Sequence, residues 1–297
     1  MKELKNKTIL VTGGAGFIGS HLCERLFKDG YKVISLDNYF SGSKNNHIVG
    51  VEYREGHTKD IEKYVPETPD IVYHLGEYSR VAKSMEEPEM VWDLNITGTP
   101  AVLEFCRKRG CKIVYAGSST KFSERRPDGI EGKDLSPYTW SKTINSDLVC
   151  NYGKWYGLSY AITYFYNVYG PRELAGEYGT VIEIFKQKYL KGEPLEVRLP
   201  GTQSRNYTHV DDTVSGLILV GEKGRGDGYG IGSEKSYSIR EVAELFGSEI
   251  VMLPARKTSR PSSAVDITKI KALGWKETKT LKDYIKEFIV SLENGRK

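Results

Sequence analysis

Short apolar runs alternate with segments of helical periodicity over the first 170 residues. The apolar runs lie at 8–11, 31–36, 70–75, 112–116 and 160–168, and the helical segments lie near 18–29, 86–109 and 139–156. Apolar runs without inside–outside alternation are typical of a parallel sheet that is covered on both faces. Because helices separate the runs, the pattern predicts an α/β fold with a doubly wound parallel sheet.

The pattern loosens after residue 171. Helical periodicity occurs at 179–191, 210–220, 238–247 and 280–293, with one strand-like run at 196–199. We therefore expect a smaller C-terminal region packed on the edge of the sheet. The predicted boundaries are 1–170 with about 204–232 for the first domain, and 171–203 with 233–297 for the second region.

Composition excludes several classes of protein. Apolar residues make up 39% and charged residues 28% of the 297 residues, with a net charge of +4 spread along the chain. No apolar run approaches the ~18–20 residues that span a bilayer, and a mixed-sign surface does not favour nucleic acid. The four cysteines and five histidines lack metal-ligand spacing, so no metal is expected. Unpaired cysteines and the lack of an apolar secretory segment predict a cytoplasmic location.

A glycine motif follows the first apolar run and opens the first helical segment. Within it, Gly14, Gly16 and Gly19 have the Gly-x-Gly-x-x-Gly spacing. Missing side chains let the backbone approach a pyrophosphate, and the helix N-terminus offers free N–H groups. Asp37 ends the second run, 18 residues after Gly19. A carboxylate there can bind both ribose hydroxyls and would repel a 2′-phosphate, which favours NAD over NADP.

A tyrosine and a lysine lie one helical turn apart at Tyr138 and Lys142. A phenol, with a pKa of about 10, is a poor base at neutral pH, but a nearby ammonium stabilises the phenolate. Ser118 ends the strand-like run before this helix, where it could orient a substrate hydroxyl. Ser118, Tyr138 and Lys142 are therefore the predicted catalytic residues.

These motifs, in this order, resemble the extended short-chain dehydrogenase/reductases of the nucleotide-sugar epimerase/dehydratase branch. The resemblance covers nearly the whole chain. It rests on 12–19, Asp37-Asn38, Asp60-Ile61, His74-Leu75, 95–99, Ser118, Tyr138 with Lys142, 167–171, 205–212, and Arg256 with Asp266.

The resemblance implies a Rossmann domain that binds NAD and a substrate-binding region that takes a nucleotide sugar, with a UDP-sugar favoured. It implies that Asp60 and Ile61 hold the adenine, and that Lys142 also binds the nicotinamide ribose. Asn95 would support the catalytic helix. The implied cofactor-binding residues are Gly13, Gly16, Phe17, Ile18, Gly19, Asp37, Asn38, Asp60, Ile61, Leu75, Gly76, Asn95, Tyr138 and Lys142. The implied substrate-binding residues are Ser118, Asn167, Arg205 and Arg256.

The two residues after Ser118 bear on the type of reaction. The 4,6-dehydratases of this branch carry an acid pair there, and the decarboxylases carry a Glu, whereas this chain has Ser119 and Thr120. Neither titrates near neutral pH, which favours 4-epimerisation through a transient 4-keto sugar. The alternatives are a 4,6-dehydratase or 4-keto reductase of the same branch, and a non-catalytic protein that binds NAD or a nucleotide sugar.

Some positions depart from the pattern of the branch. The segment 77–80 replaces residues that are usually small, and 121–123 replaces the usual Val-Tyr-Gly. The segment 257–259 replaces the usual Pro-Gly-Asp after Arg256. Ser263 lies where the epimerases carry a gate residue, and a small gate favours UDP-N-acetylhexosamines over plain UDP-hexoses. The resemblance also implies a role in carbohydrate biosynthesis.

The resemblance further predicts a homodimer, formed by the helical segments near 86–109 and 139–156 across a two-fold axis. We expect light scattering at micromolar concentration to give twice the chain mass. A monomeric mass under those conditions would refute this prediction.

Overall fold

Strands and helices alternate along the computed structural model, which describes residues 7–119, 136–176, 179–255 and 265–295. The strands are β1 (Thr8–Thr12), β2 (Lys32–Asp37), β3 (Glu52–Glu55), β4 (Ile71–His74), β5 (Lys112–Ser118), β6 (Tyr160–Phe165), β7 (Val168–Tyr169), β8 (Leu195–Arg198), β9 (Ser204–Asn206), β10 (Thr208–His209), β11 (Gly226–Ile231), β12 (Ser236–Ser238) and β13 (Ile250–Leu253). The α-helices are α1 (Phe17–Lys28), α2 (Ile61–Tyr64), α3 (Pro88–Val91), α4 (Gly98–Arg109), α5 (Pro137–Tyr156), α6 (Val181–Lys191), α7 (Val210–Lys223), α8 (Ile239–Phe246), α9 (Thr268–Ala272) and α10 (Leu281–Gly295).

A seven-stranded sheet has the order β11-β6-β5-β4-β1-β2-β3. The pairs from β3 through β6 are parallel. From β1 the chain adds strands first on one side and then, starting with β4, on the other. The carboxyl ends of β1 and β4 therefore flank the switch point, where ligands bind in folds of this kind. The predicted doubly wound α/β fold is confirmed.

Complete burial of the central strands explains the continuous apolar runs. Leu10 in β1, Val72 in β4 and Val114 in β5 have no exposed surface. The two outermost strands lack such runs, because β3 has the sequence Glu-Tyr-Arg-Glu and β11 is rich in glycine. Hydrophobic patterning predicted neither of them, because an edge strand pairs with a neighbouring strand on one side only and often carries polar residues.

The chain divides into two compact units. The first comprises Met1–Phe165, Val214–Gly230 and Ile267–Trp275, and the second comprises Tyr166–Thr213, Ile231–Asp266 and Lys276–Lys297. The division differs from the sequence-based boundaries at 204–213, which lie in the second unit together with 166–170 and 231–232, and at 267–275, which lie in the first. Strand pairing explains the first difference, because β9 is antiparallel to β12 with Arg205 opposite Tyr237. Lys269, in α9, donates to the carbonyl of Asp227 at 2.6 Å, which ties α9 to β11 of the first unit.

The second unit has its own apolar core. Aromatic and aliphatic side chains from its helices and short strands form it, including Tyr169, Phe185, Leu195, Phe246 and Leu281. Within this unit β8 pairs with β13 and β7 pairs with β10, both in parallel. Among the residues described, no helix has the length and apolarity that crossing a bilayer demands.

An Arg–carboxylate pair ties β3 to the loop before β4. Arg54 donates to both carboxylate oxygens of Glu67, at 2.6 and 2.7 Å, and to the carbonyl of Tyr64 at 2.7 Å. The hydrogen bonds from Arg54 lower the pKa of Glu67 to about 2. Because the folded protein binds that proton less tightly than the unfolded chain, the pair stabilises the fold above pH 4.5, and this stabilisation disappears as the pH falls through about 2.

We expect Glu67→Gln to lower the free energy of unfolding at pH 7 and to leave it close to that of the wild type near pH 2. Urea titrations at a series of pH values measure this difference. Glu244→Gln is the matched control, because Glu244 forms an exposed pair with Arg240 at 2.9 Å, which contributes little. A Glu67→Gln difference that stays constant with pH would contradict the assignment.

Candidate active site

The turn after β1 brings the chain back against its own backbone. Gly13 has a φ of +74°, and its N–H donates to the carbonyl of Leu36 at 2.9 Å. A Cβ on Gly19 would lie 2.0 Å from the carbonyl oxygen of Gly13. Neither position therefore accepts a side chain without rebuilding the turn.

The N-terminus of α1 has no side-chain cap. Gly16 is the N-cap residue, no side chain accepts from the first N–H groups, and the first turn carries no acidic residue. Helix α8 shows the opposite arrangement, a complete capping box formed by Ser238 and Glu241. Because the first turn of a helix has N–H groups without partners and a partial positive charge, the start of α1 fits a phosphate group.

Asp37 lies at the carboxyl end of β2, beside this turn. Its carboxylate accepts from the N–H of Ala15 at 2.9 Å and from the N–H of Tyr39 at 2.8 Å. Burial raises the pKa of Asp37, although these two hydrogen bonds oppose the rise. The carboxylate is thus fixed at the strand end, where its predicted role is to bind ribose hydroxyls.

A cleft at the strand ends is lined by four of the predicted cofactor-binding residues, Gly13, Asp37, Asn38 and Gly76. Its lining residues are Gly13, Leu36, Asp37, Asn38, Gly56, Thr58, Gly76 and Leu94. Asp60 and Ile61 are not among them, and instead line a separate surface depression with Lys59 and Lys108. That Asp60 and Ile61 hold the adenine remains a prediction. The 3₁₀ turn Thr58–Asp60 presents its first residue, Thr58, to the cleft, and the sequence did not reveal which residue of the turn would face it.

Three of the other predicted cofactor-binding residues are next in sequence to residues that line this cleft or to the glycine turn. Phe17 and Ile18 are the first two residues of α1. Leu75 follows β4, and its N–H donates to the carbonyl of Thr12 at 3.1 Å. The narrow glycine turn, the uncapped helix and the fixed carboxylate together fit a dinucleotide such as NAD. No group of three potential metal ligands occurs among the described residues.

Two of the three predicted catalytic residues are in direct contact. Tyr138 donates its hydroxyl hydrogen bond to Ser118 Oγ at 3.1 Å, and both residues are buried. Ser118 is the last residue of β5. Helix α5 begins at Pro137, because the side chain of Ser136 caps the N–H of Thr139 at 3.1 Å. The cap therefore places Tyr138 in the first turn of α5.

Lys142 lies one turn further along α5, with its ammonium buried. It donates to the carbonyl of Ala116 and to the carboxylate of Glu77, and lies 4.6 Å from the ring centre of Tyr115. The sequence identified Glu77 only as a departure from the small residues of the family. The available signal was the carboxylate that follows the apolar run at 70–75.

Glu77 accepts hydrogen bonds from four side chains. Besides Lys142, the donors are Thr99 at 2.6 Å, Asn145 at 2.9 Å and Tyr115 at 3.1 Å. Burial favours the protonated acid, but the charge of Lys142 and these hydrogen bonds outweigh it and lower the pKa of Glu77. The carboxylate is therefore ionised and paired.

A chain of hydrogen bonds continues from Glu77 to β1. His74 contacts Thr99 Oγ1 through Nε2 at 3.0 Å and Thr12 Oγ1 through Nδ1 at 2.7 Å. Because Thr99 donates to Glu77, it accepts from His74, which assigns the proton of the neutral imidazole to Nε2. Burial lowers the pKa of His74 to about 4, so the ring is neutral at physiological pH.

The predicted helix at 86–109 is interrupted by a π-helical segment, Trp92–Thr97, that contains Asn95. Asn95 accepts from the N–H of Tyr78 at 2.7 Å and donates to Ser141 Oγ, in α5, at 3.0 Å. The wider turn is typical of functional sites. Asn95 thus connects the segment after β4 to α5, and its role in supporting the catalytic helix stays a prediction.

The predicted substrate-binding residues outside β5 belong to the second unit or lie outside the described residues. Asn167 has a φ of +39°, and its amide donates to the carbonyl of Asn206 at 3.0 Å. Arg205 lies in β9 and donates to the carbonyl of Ser204 at 2.8 Å. Outside the described residues lie Arg256, Thr120, 121–123, 257–259 and Ser263.

Comparisons with known proteins agree with this architecture. The family model for the NAD dependent epimerase/dehydratase family matches residues 9–232. The chain is 33% identical to a putative UDP-glucose 4-epimerase of Methanocaldococcus jannaschii, over 97% of this chain and 99% of that one. It is 32% identical to the UDP-N-acetyl-alpha-D-glucosaminuronate decarboxylase of Bacillus cytotoxicus, over 90% and 91%. The UDP-glucose 4-epimerase of Thermotoga maritima, solved with UDP-glucose, superimposes with a TM-score of 0.89 at 30% identity, covering 98% and 100%.

The fold and the cleft define a dinucleotide-binding protein of the extended short-chain dehydrogenase/reductase class. The chain belongs to the NAD dependent epimerase/dehydratase family, and its cofactor is NAD. The resemblance inferred from the sequence motifs is thereby confirmed. The roles of the individual site residues remain predictions.

The second and third glycines of the motif, Gly16 and Gly19, should have different effects on folding. Gly19→Ala forces a Cβ into the carbonyl of Gly13, so we expect a loss of about 1–3 kcal/mol of stability and weaker NAD binding. A Cβ on Gly16 lies 3.2 Å from the same oxygen, so Gly16→Ala should weaken NAD binding with little change in melting temperature. Calorimetric NAD titrations and thermal melts measure both effects. Undiminished NAD affinity in Gly19→Ala would refute the role of the turn.

Proposed function

We propose that this protein is an NAD-dependent nucleotide-sugar 4-epimerase that acts on a UDP-hexose or a UDP-N-acetylhexosamine. The observation that carries the proposal is the contact of the Tyr138 hydroxyl with Ser118 at the end of β5. This pair lies in the same unit as the dinucleotide cleft, and its tyrosine is on the same helix as Lys142. The similarity to proteins named as UDP-glucose 4-epimerases supports the choice of reaction.

In this mechanism Ser118 and Tyr138 act on the C4 hydroxyl of the sugar. Ser118 orients the hydroxyl, and Tyr138 as phenolate removes its proton. The chemistry that bound NAD would supply is hydride removal from C4 and its return. After the 4-keto sugar has turned over, Tyr138 gives its proton back to the oxygen and the alcohol of opposite configuration is formed. The two half-reactions cancel, so no net oxidation occurs.

The residues after β5 favour epimerisation over elimination. In the sequence, Thr120 stands where a dehydratase carries the glutamate of its acid pair, and Glu77 is paired with Lys142. Loss of the C6 hydroxyl needs an acid to protonate it, so the lack of that glutamate from the acid-pair position disfavours a 4-keto-6-deoxy product. The 4,6-dehydratase, the 4-keto reductase and the non-catalytic binding protein remain the alternatives to be tested.

Decarboxylation of a UDP-uronic acid is a second candidate reaction. It is favoured by the 32% identity to a UDP-N-acetyl-alpha-D-glucosaminuronate decarboxylase over 90% of this chain. The same oxidation at C4 would precede it, because a 4-ketone stabilises the electron pair left by departing carbon dioxide. Product analysis therefore separates the two candidates without a change in the proposed roles of Ser118 and Tyr138.

The finer predictions follow from the family resemblance. Ser263 favours an N-acetylated sugar, and Arg205 and Arg256 are the expected ligands of the diphosphate. Asn167 is the expected hydrogen-bonding partner of the sugar. The homodimer, the cytoplasmic location and the role in carbohydrate biosynthesis also remain predictions.

Incubation with a panel of UDP-, GDP- and CDP-sugars, followed by proton NMR, should show inversion at C4 of a UDP-sugar. Tyr138→Phe should lower the rate by about 100-fold or more, because the proton-transfer group is lost. Tyr152→Phe is the matched control, because it removes a phenol hydroxyl from the same helix. That hydroxyl donates to Glu104 at 2.8 Å. A 4-keto-6-deoxy product, release of carbon dioxide from a UDP-uronate, net consumption of NADH, or full activity of Tyr138→Phe would each refute the proposal.

A further inference from the structure

Glu77 occupies a position where the family resemblance leads one to expect a small residue. It follows His74-Leu75-Gly76 at the carboxyl end of β4. Its carboxylate is 3% exposed, and the Lys142 side chain is 7% exposed. A charged pair with so little contact with water is costly to bury unless both partners are fully hydrogen-bonded.

The hydrogen bonds around Glu77 divide its two oxygens between two tasks. Oε1 accepts from Thr99, Tyr115 and Asn145, which belong to α4, β5 and α5. Oε2 accepts from Lys142. Three neutral donors thus fix the orientation of the carboxylate, and the fixed carboxylate in turn fixes the ammonium.

The ammonium has a second anchor in the carbonyl of Ala116, two residues before Ser118 in β5. The ring of Tyr115 covers a further side. Lys142 is therefore bound between β4 and β5 on the inner side of α5. Its charge, which would otherwise act on Tyr138 uncompensated, has an opposite charge in direct contact.

We propose that Glu77 is a positioning residue that anchors the Lys142 ammonium, compensates its charge, and thereby sets the pH range in which Tyr138 exchanges its proton. This inference rests on the proposed acid–base role of Tyr138. Glu77 acts through Lys142 and is not itself proposed to touch the substrate.

The direction of the effect follows from electrostatics alone. The titratable groups that interact with Glu77 are His74 from β4, Tyr115 from β5 and Lys142 from α5, and Tyr138 lies one turn before Lys142 on α5. Removing a negative charge makes every neighbouring acid release its proton more readily, whether that acid is a phenol or an ammonium. Both limbs of a bell-shaped pH–rate profile should then move to lower pH. The alkaline limb should move further, because Lys142 touches Glu77 directly.

Glu77→Gln tests this proposal, because glutamine keeps the size of the side chain and removes its charge. We expect both limbs of the profile of kcat/KM to shift to lower pH, the alkaline limb by about one unit or more. The matched control is Glu183→Gln, since Glu183 forms another buried pair, with Lys186 at 2.9 Å, in the second unit. The control should leave both limbs where they are. Unshifted limbs in Glu77→Gln, or an equal shift in the control, would overturn the proposal.

A second measurement does not depend on turnover. Ultraviolet difference titration of tyrosinate, comparing each protein with its Tyr138→Phe counterpart, reports the ionisation of Tyr138 with NAD present and no substrate. The Tyr138 signal should appear at lower pH in Glu77→Gln than in the wild-type background, and an unchanged midpoint would refute the inference. If the reaction proves not to be epimerisation, the NMR products show it while this titration still tests Glu77.

Folding of the variants is verified by circular dichroism before either measurement. Should Glu77→Gln fail to fold, Glu77→Asp provides the same test, because the shorter side chain draws the negative charge away from Lys142. We then expect shifts in the same direction but smaller than for glutamine. The proposal would also be overturned if Glu77→Asp had the same pH–rate limbs and the same tyrosinate midpoint as the wild type.

Discussion

The parallel sheet imposes one constraint on the first unit, because the carboxyl ends of its parallel strands all lie at the same edge. The glycine turn follows β1, Asp37 ends β2, Glu77 follows β4 and Ser118 ends β5. Residues far apart in the chain therefore converge without any local sequence relation among them. The reversal of strand order between β1 and β4 opens the crevice that these groups surround. Cofactor binding and proton transfer both depend on this geometry.

The charged pair of Glu77 and Lys142 can be buried beside this crevice because the surrounding side chains are positioned to form hydrogen bonds with it. The carboxylate of Glu77 and the ammonium of Lys142 would each be unfavourable alone in so dry an environment. The amide of Asn145 and the hydroxyls of Thr99 and Tyr115 satisfy the remaining hydrogen-bonding capacity of the carboxylate. The network joins α4, α5 and β5, so one set of contacts both stabilises the unit and holds the proposed acid–base residues in place.

The match to the family covers most of the chain, yet this site carries a feature that the family motifs did not predict. Glycine turn, Asp37, Ser118, Tyr138 and Lys142 all follow the familiar order, whereas Glu77 adds a negative charge next to the lysine. A family resemblance identifies the cofactor and the class of chemistry. The balance of charge around a proton-transfer residue is a property of the individual chain, because a single carboxylate at contact distance outweighs more distant groups.

The sequence by itself determined the features that depend on local spacing. The fold class followed from buried strands alternating with helices, and the Tyr138–Lys142 spacing followed from the helical repeat. Only the tertiary structure decided that Glu77 meets Lys142, since 65 residues separate them. It also decided that Thr58 lines the cleft, because the direction of a short 3₁₀ turn depends on what it packs against. Periodicity records which face of an element is buried, whereas partners across elements are chosen by the packing of the whole unit.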